Sequence, residues 1–168
     1  DLRKFTSIHP RMIGVRDLVS EIEETVELHR EVARKSISSA AWYSKLSQAS
    51  RGHFADLGRR LLSLIVKYIT EPSKREETMH SARKVGQDMG ETLAIHGLPL
   101  TDSVEAFLMH REPVIKASTS LLKRRDAFTG RLVDAIPLAI HVIDETLVSL
   151  VAAHQQNRNG MDISKEKH

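Results

Sequence analysis

Apolar residues recur at three- and four-residue intervals along almost the whole chain, from Val15, Leu18, Val19 and Ile22 to Ile143, Leu147 and Leu150. That interval is the period of a helix with one buried face, and no stretch shows the two-residue alternation of β-branched side chains expected of a half-buried strand. The expected fold class is therefore all-α, a bundle of five or six helices. With 168 residues the chain has the length of one domain around one core. Residues 1–156 read as a single helical domain and residues 157–168 as a polar tail or a linker to an output domain. A start at Asp1 and a polar end, "NRNGMDISKEKH", are expected of a piece cut from a longer polypeptide.

Local signals divide the pattern into helices. The first is expected over about Val15 to Lys35, followed by a serine-rich break, "SISSAAWYSKLSQ", that places Trp42 and Leu46 in the core. Phe54, Leu57, Leu61, Leu64, Ile65 and Tyr68 define the next helix, which "TEPS" ends because the residue before a proline disfavours the helical conformation. Ser73 and Glu76 then have capping-box spacing. Ala82, Val85, Gly86, Met89, Gly90 and Leu93 form one stripe of the following helix. Glycine inside an exposed helix costs about 1 kcal/mol against alanine, so Gly86 and Gly90 are expected where a neighbouring backbone comes close.

"HGLPL", His96 to Leu100, reads as a helix stop. Gly97 can take the left-handed position, Leu98 can fold back over the last turn, and Pro99 prevents continuation. Thr101, or Asp102 with Glu105, is expected to cap the next helix, which runs from Ser103 to Arg125 around Pro113. A last helix is expected from about Thr129 to Gln155, with Pro137 near its start. Both prolines are candidate hinges, since each removes a backbone hydrogen bond. Ile136, Ile140, Ile143, Leu147 and Leu150 keep a four-three spacing that suits either a core stripe or a dimer seam.

The chemistry the chain can perform is narrowed by what it carries. It has no cysteine, which removes disulfides, thiolate metal sites and cysteine nucleophiles. Twenty-five basic against 22 acidic residues leave too small a surplus, in short scattered pairs, to suggest nucleic acid. No uninterrupted apolar run approaches the roughly 18 residues of a spanning helix, so no membrane partner is expected. Glu77 and His80 have the Glu-x-x-His spacing of di-iron bundles, but such sites need a second copy and further inward glutamates. His96 and His110 are the other candidates for a cofactor, and His141 with Asp144 or Glu145, like His53 with Asp56, is an ordinary helical pair. No "HExxH", phosphate loop, dinucleotide glycine pattern or nucleophile elbow occurs.

"ARKVGQDMGETLAIHGLPLTDSVEAFLMHREPVI", with "WYSKLSQ" and "RRLLSLIVKYI" upstream, resembles the N-terminal domain of bacterial RsbRD-type proteins, co-antagonists in stress signalling. The likeness spans about Ala41 to Leu122. It implies a cytoplasmic sensory or regulatory module joined at its C-terminus to an output domain, with a globin-like helical arrangement that lacks haem. In sensor globins the proximal histidine lies before the corresponding corner, where this chain has Thr92 and Leu93; His96 is displaced by about a turn.

The expected function is a non-catalytic signalling domain, without cofactor or metal, that forms a homodimer and acts on an output domain or regulatory partner. A small-molecule ligand is compatible with it. The alternative is a haem- or metal-binding helical sensor or enzyme built around His96, His110 or the Glu77–His80 pair.

Overall fold

The computed structural model describes residues 37–124 and 129–165 without a gap, together with residues 20, 24, 27, 28, 31, 34 and 35. The expected first helix, Val15 to Lys35, lies largely outside the described residues, and those described within it are helical. Four long helices follow: α1, Gln48–Thr70; α2, Arg75–Ile95; α3, Leu100–Arg124; and α4, Thr129–Lys165. No strand occurs among the described residues, and the helices pack on one another as an all-α bundle.

The break before α1 has the expected character. The chain bends at Ala40 and makes a 3-10 turn over Tyr43–Lys45, with Trp42 and Leu46 buried on either side. Ser47 then caps α1, its hydroxyl accepting from the Ser50 N–H at 3.1 Å, one of the helix-start donors that would otherwise be unpaired. Phe54, Leu57, Leu61, Ile65 and Tyr68 fall on the buried face of α1.

Two expected caps are not where the spacing put them. Ser73 lies within a 3-10 turn, Pro72–Lys74, and α2 begins after it with no side-chain cap. Pro72 is pre-set for such a turn, and its carbonyl takes the Arg75 N–H, so backbone bonds do the work assigned to the serine. Thr101 and Asp102 lie inside the first turn of α3 rather than before it. The Pro99 carbonyl accepts both the Ser103 N–H at 3.0 Å and the Ser103 hydroxyl at 3.1 Å, which starts the helix earlier.

The α2–α3 corner follows its sequence closely. Gly97 has φ +71°, the conformation that glycine adopts without cost. The Leu98 N–H reaches the Leu93 carbonyl (3.1 Å) and the Gly97 N–H reaches that of Ala94 (2.9 Å), the paired bonds of a Schellman motif. Leu98 is fully buried over that turn.

Both prolines lie inside continuous helices, Pro113 in α3 and Pro137 in α4, and neither interrupts its helix. The last helix continues beyond the expected Gln155 through the polar segment to Lys165. Within it, Asp134–Gly160 is long and apolar enough, with a mean hydropathy of 1.6 in its best window, to pass the length and composition test for a membrane span. Its polar residues break every apolar run, but Ile, Val, Leu and Ala dominate the average. In the fold, the face carrying Val142, Ile143, Leu150 and Ala153 is buried in the bundle core.

Candidate functional site

At the seam between α2 and α4 the two helix backbones come into direct contact. Ala82, Val85, Met89 and Leu93 are buried along α2, with Gly86 and Gly90 between them. A Cβ built on Gly86 would collide with the Thr146 carbonyl oxygen, and one on Gly90 with that of Leu150. The two glycines therefore let backbone meet backbone, as residues without side chains four apart on a helix can. On the α4 side the hydroxyls at the seam are satisfied locally: Thr146 donates to the Val142 carbonyl (2.7 Å) and Ser149 to that of Glu145 (3.0 Å). At its edge, Arg83 grips Glu145 through Nε (2.9 Å) and a terminal nitrogen (2.7 Å).

Periodicity grouped Ile136, Ile140, Ile143, Leu147 and Leu150 as one stripe, and the fold divides them. Ile143 and Leu150 are in the core at 2% exposure or less, and Leu147 packs against that core. Ile136 is half-buried, whereas Ile140 is 41% exposed. Val148, on another face of the helix, is 65% exposed. The outward apolar surface of α4 thus includes Ile140 and Val148. Pro137 is exposed near its start, and Pro113 is buried in α3.

The described histidines are not brought together. His80 and Glu77 are both exposed on α2, and Glu77 faces Lys67 of α1 at 3.4 Å. The His110 side chain lies outside the described residues. Among the described residues, no three His, Asp or Glu side chains are placed to share a metal ion. His96 ends α2 and ties it to α1: Nδ1 donates to the Thr92 carbonyl at 2.7 Å, and Nε2 bonds the Ser50 hydroxyl at 2.8 Å. Both ring nitrogens are thereby engaged. The ring satisfies a carbonyl of the last turn, which is the role its position at a helix C-terminus suggests. His53 and His141 are exposed; Asp56 pairs instead with Arg59, and Glu145 with Arg83.

Spacing arguments missed His154. It is fully buried, and its Nε2 donates to the Leu98 carbonyl at 2.8 Å, joining α4 to the α2–α3 corner. Its Nδ1 has no hydrogen-bond partner. The signal was in the sequence: His154 stands four residues after Leu150 and extends the buried face of α4 by one turn.

Comparison with protein-family models, curated proteins and solved structures found no match to this chain.

Proposed function

We propose that the chain is a non-catalytic, cytoplasmic regulatory domain that dimerises through α4 and passes a change in helix packing along α4 to an output domain or partner protein. The observation that carries this reading is the place of α4 in the bundle. It packs against α1, α2 and α3, and it continues as a helix past His154, the last buried residue among those whose burial is described, to Lys165. A displacement of any other long helix is therefore felt by an element that extends away from the core. Ile140 and Val148 give α4 an apolar surface for a second copy, and burying side chains of this kind contributes about 1.5–3 kcal/mol each. The opposite face of α4 packs into the bundle core, and the cytoplasmic setting is part of this proposal. Pro137 supplies a hinge in this reading, because it withholds one bond from the helix that carries the signal.

Light scattering tests the dimer: twice the chain mass is expected, reverting to the single mass in Val148→Glu or Ile140→Glu with helicity retained. A strict monomer at high concentration removes this part of the proposal. Transmission is tested by Pro137→Ala in the full-length regulator, which is expected to hold the output in one state. An output that answers its stimulus as the parent does would show that the hinge plays no part.

A further inference from the structure

The start of α1 meets the end of α2 through side chains that can react. His96 Nδ1 lies 2.7 Å from the Thr92 carbonyl, and Nε2 lies 2.8 Å from the Ser50 hydroxyl. A carbonyl oxygen only accepts, so in the neutral ring Nδ1 carries the proton and Nε2 presents its lone pair. The Ser50 hydrogen therefore points at Nε2. Ser47 Oγ is 2.8 Å from Ser50 Oγ, and because the Ser50 hydrogen is already committed, Ser47 is the donor of that bond. Ser47 Oγ in turn takes the Ser50 N–H at 3.1 Å. The hydrogen bonds thus form one directed chain, from Ser47 to Ser50, from Ser50 to His96 and from His96 to Thr92.

Other serines hold their hydroxyl hydrogen against a group that cannot remove it. Ser38, Ser44, Ser63, Ser81, Ser103 and Ser149 donate to backbone carbonyls. Ser50 donates to a nitrogen base whose ring is fixed by a third group, which is the arrangement that activates a serine nucleophile. The Thr92 carbonyl stands in the place that a carboxylate takes in a full triad. The cluster lies at the surface, with Ser50 and His96 half-buried and Ser47 exposed.

We propose that Ser50 is an acylation site, at which an activated ester transfers a short acyl group to the hydroxyl with His96 as the base. Ser50 Oγ forms the new bond to the acyl carbon while its proton passes to Nε2. The bond from that carbon to the leaving oxygen or sulfur breaks, and the leaving group takes the proton from Nε2, which returns the ring to its starting state. Ester and serine thus become acyl-Ser50 and a free alcohol or thiol. The acylated oxygen has no hydrogen left for Nε2, so the modified chain loses the bond that ties α1 to α2. The transfer is stoichiometric in the protein, and the inference does not depend on the regulatory reading of α4.

The full chain is treated with p-nitrophenyl acetate, and the acetylation rate of each serine is read by peptide mass spectrometry. Ser50 is expected to react at least about tenfold faster than Ser44 and Ser63, exposed serines that donate to carbonyls. His96→Gln keeps a polar group at the position but no base, and should slow Ser50 by about a hundredfold while leaving Ser44 and Ser63 unchanged. A bond that served structure alone would cost the variant stability without giving Ser50 of the parent any excess reactivity. If His96→Gln does not fold, the comparison of Ser50 with Ser44 and Ser63 on the parent chain decides. Acetylation of Ser50 no faster than that of Ser44 and Ser63, or at the parental rate in folded His96→Gln, would overturn the proposal and leave the bond as a structural tie.

Discussion

At Gly86 and Gly90 the α2 backbone comes so near the Thr146 and Leu150 carbonyls that a methyl group has no room, whereas beside Trp42 about 150 Å³ stands between two helical segments. The same chain thus contains a seam with no spare volume and a cleft with room to spare. Close-packed interiors transmit displacement because they cannot absorb it, while a void lets side chains adjust around an occupant. The contrast assigns different work to the two regions. The seam fixes how α4 lies on the bundle, whereas the cleft leaves its lining side chains room to adjust. α1 touches both, since it lines the cleft and packs against α2 and α4.

The sharpest way to break the comparison is a methyl group at the seam. Gly86→Ala and Gly90→Ala must push two backbones apart, and overpacking of this kind costs about 3 kcal/mol or more when backbone has to move. For a chain of this size that lowers the melting temperature by roughly 6–12 °C. Thermal unfolding of either variant at the parental temperature would show that the seam is looser than its geometry.

His154→Ala tests the seam at its far end. It leaves the buried Leu98 carbonyl without the imidazole donor and opens a cavity beside it, for a loss of about 2–3 kcal/mol. Denaturant unfolding measures it. A loss below about 1 kcal/mol would mean that the corner is held by the Gly97 and Leu98 backbone bonds alone.

On the cleft side of the molecule the same kind of substitution should reverse in sign. Gly52 lies in α1 with nothing near the position of an added Cβ. Gly52→Ala meets no obstruction and removes backbone freedom from the unfolded chain, so it should stabilise by about 0.5–1 kcal/mol. A destabilised Gly52→Ala would mean that α1 is packed as tightly as the seam.

These contrasts also show which parts of the fold were legible in the sequence. The Gly97 corner was readable because its bonds close within six residues, and the glycine stripe of α2 because two glycines four apart have few uses in a helix interior. The partner of that stripe was not readable, since nothing local to Gly86 names Thr146. Ser73 misled because the turn at Pro72 supplied backbone acceptors that spacing rules do not count. Ile140 and Ile143 looked equivalent, but which residues of an α4 face meet a neighbour depends on where the other helices lie. The cleft was the least legible feature. Trp42 was recognisable as core, yet the lack of a partner for its indole emerges only when segments distant in sequence are brought together.

The smallest effect belongs to the joint between the cleft-lining helix and the seam. In the turn from α1 to α2, Lys74 bonds Glu71 at 2.9 Å. That hydrogen bond holds the Glu71 carboxyl below its usual 4.5 against an opposing cost of desolvation, helped by the charges of Lys74 and Lys67, and the same bond holds Lys74 above its usual 10.5. A lowered carboxylate contributes stability that is present above 4.5 and fades as pH falls through the folded value; a raised lysine contributes stability that is present below 10.5 and fades as pH rises through its own. The pair therefore acts between those limits. Both side chains are about half exposed, so solvent screens them strongly and the contribution is slight. Glu71→Gln should lower the melting temperature slightly at neutral pH and low salt. The difference should close well below pH 4.5, where the parent carboxylate is protonated too, and in about 1 M salt, where the Debye length is about 3 Å. A difference that survives both conditions would mean that Glu71 holds the joint through its shape and stem, and that the joint belongs with the tightly packed seam.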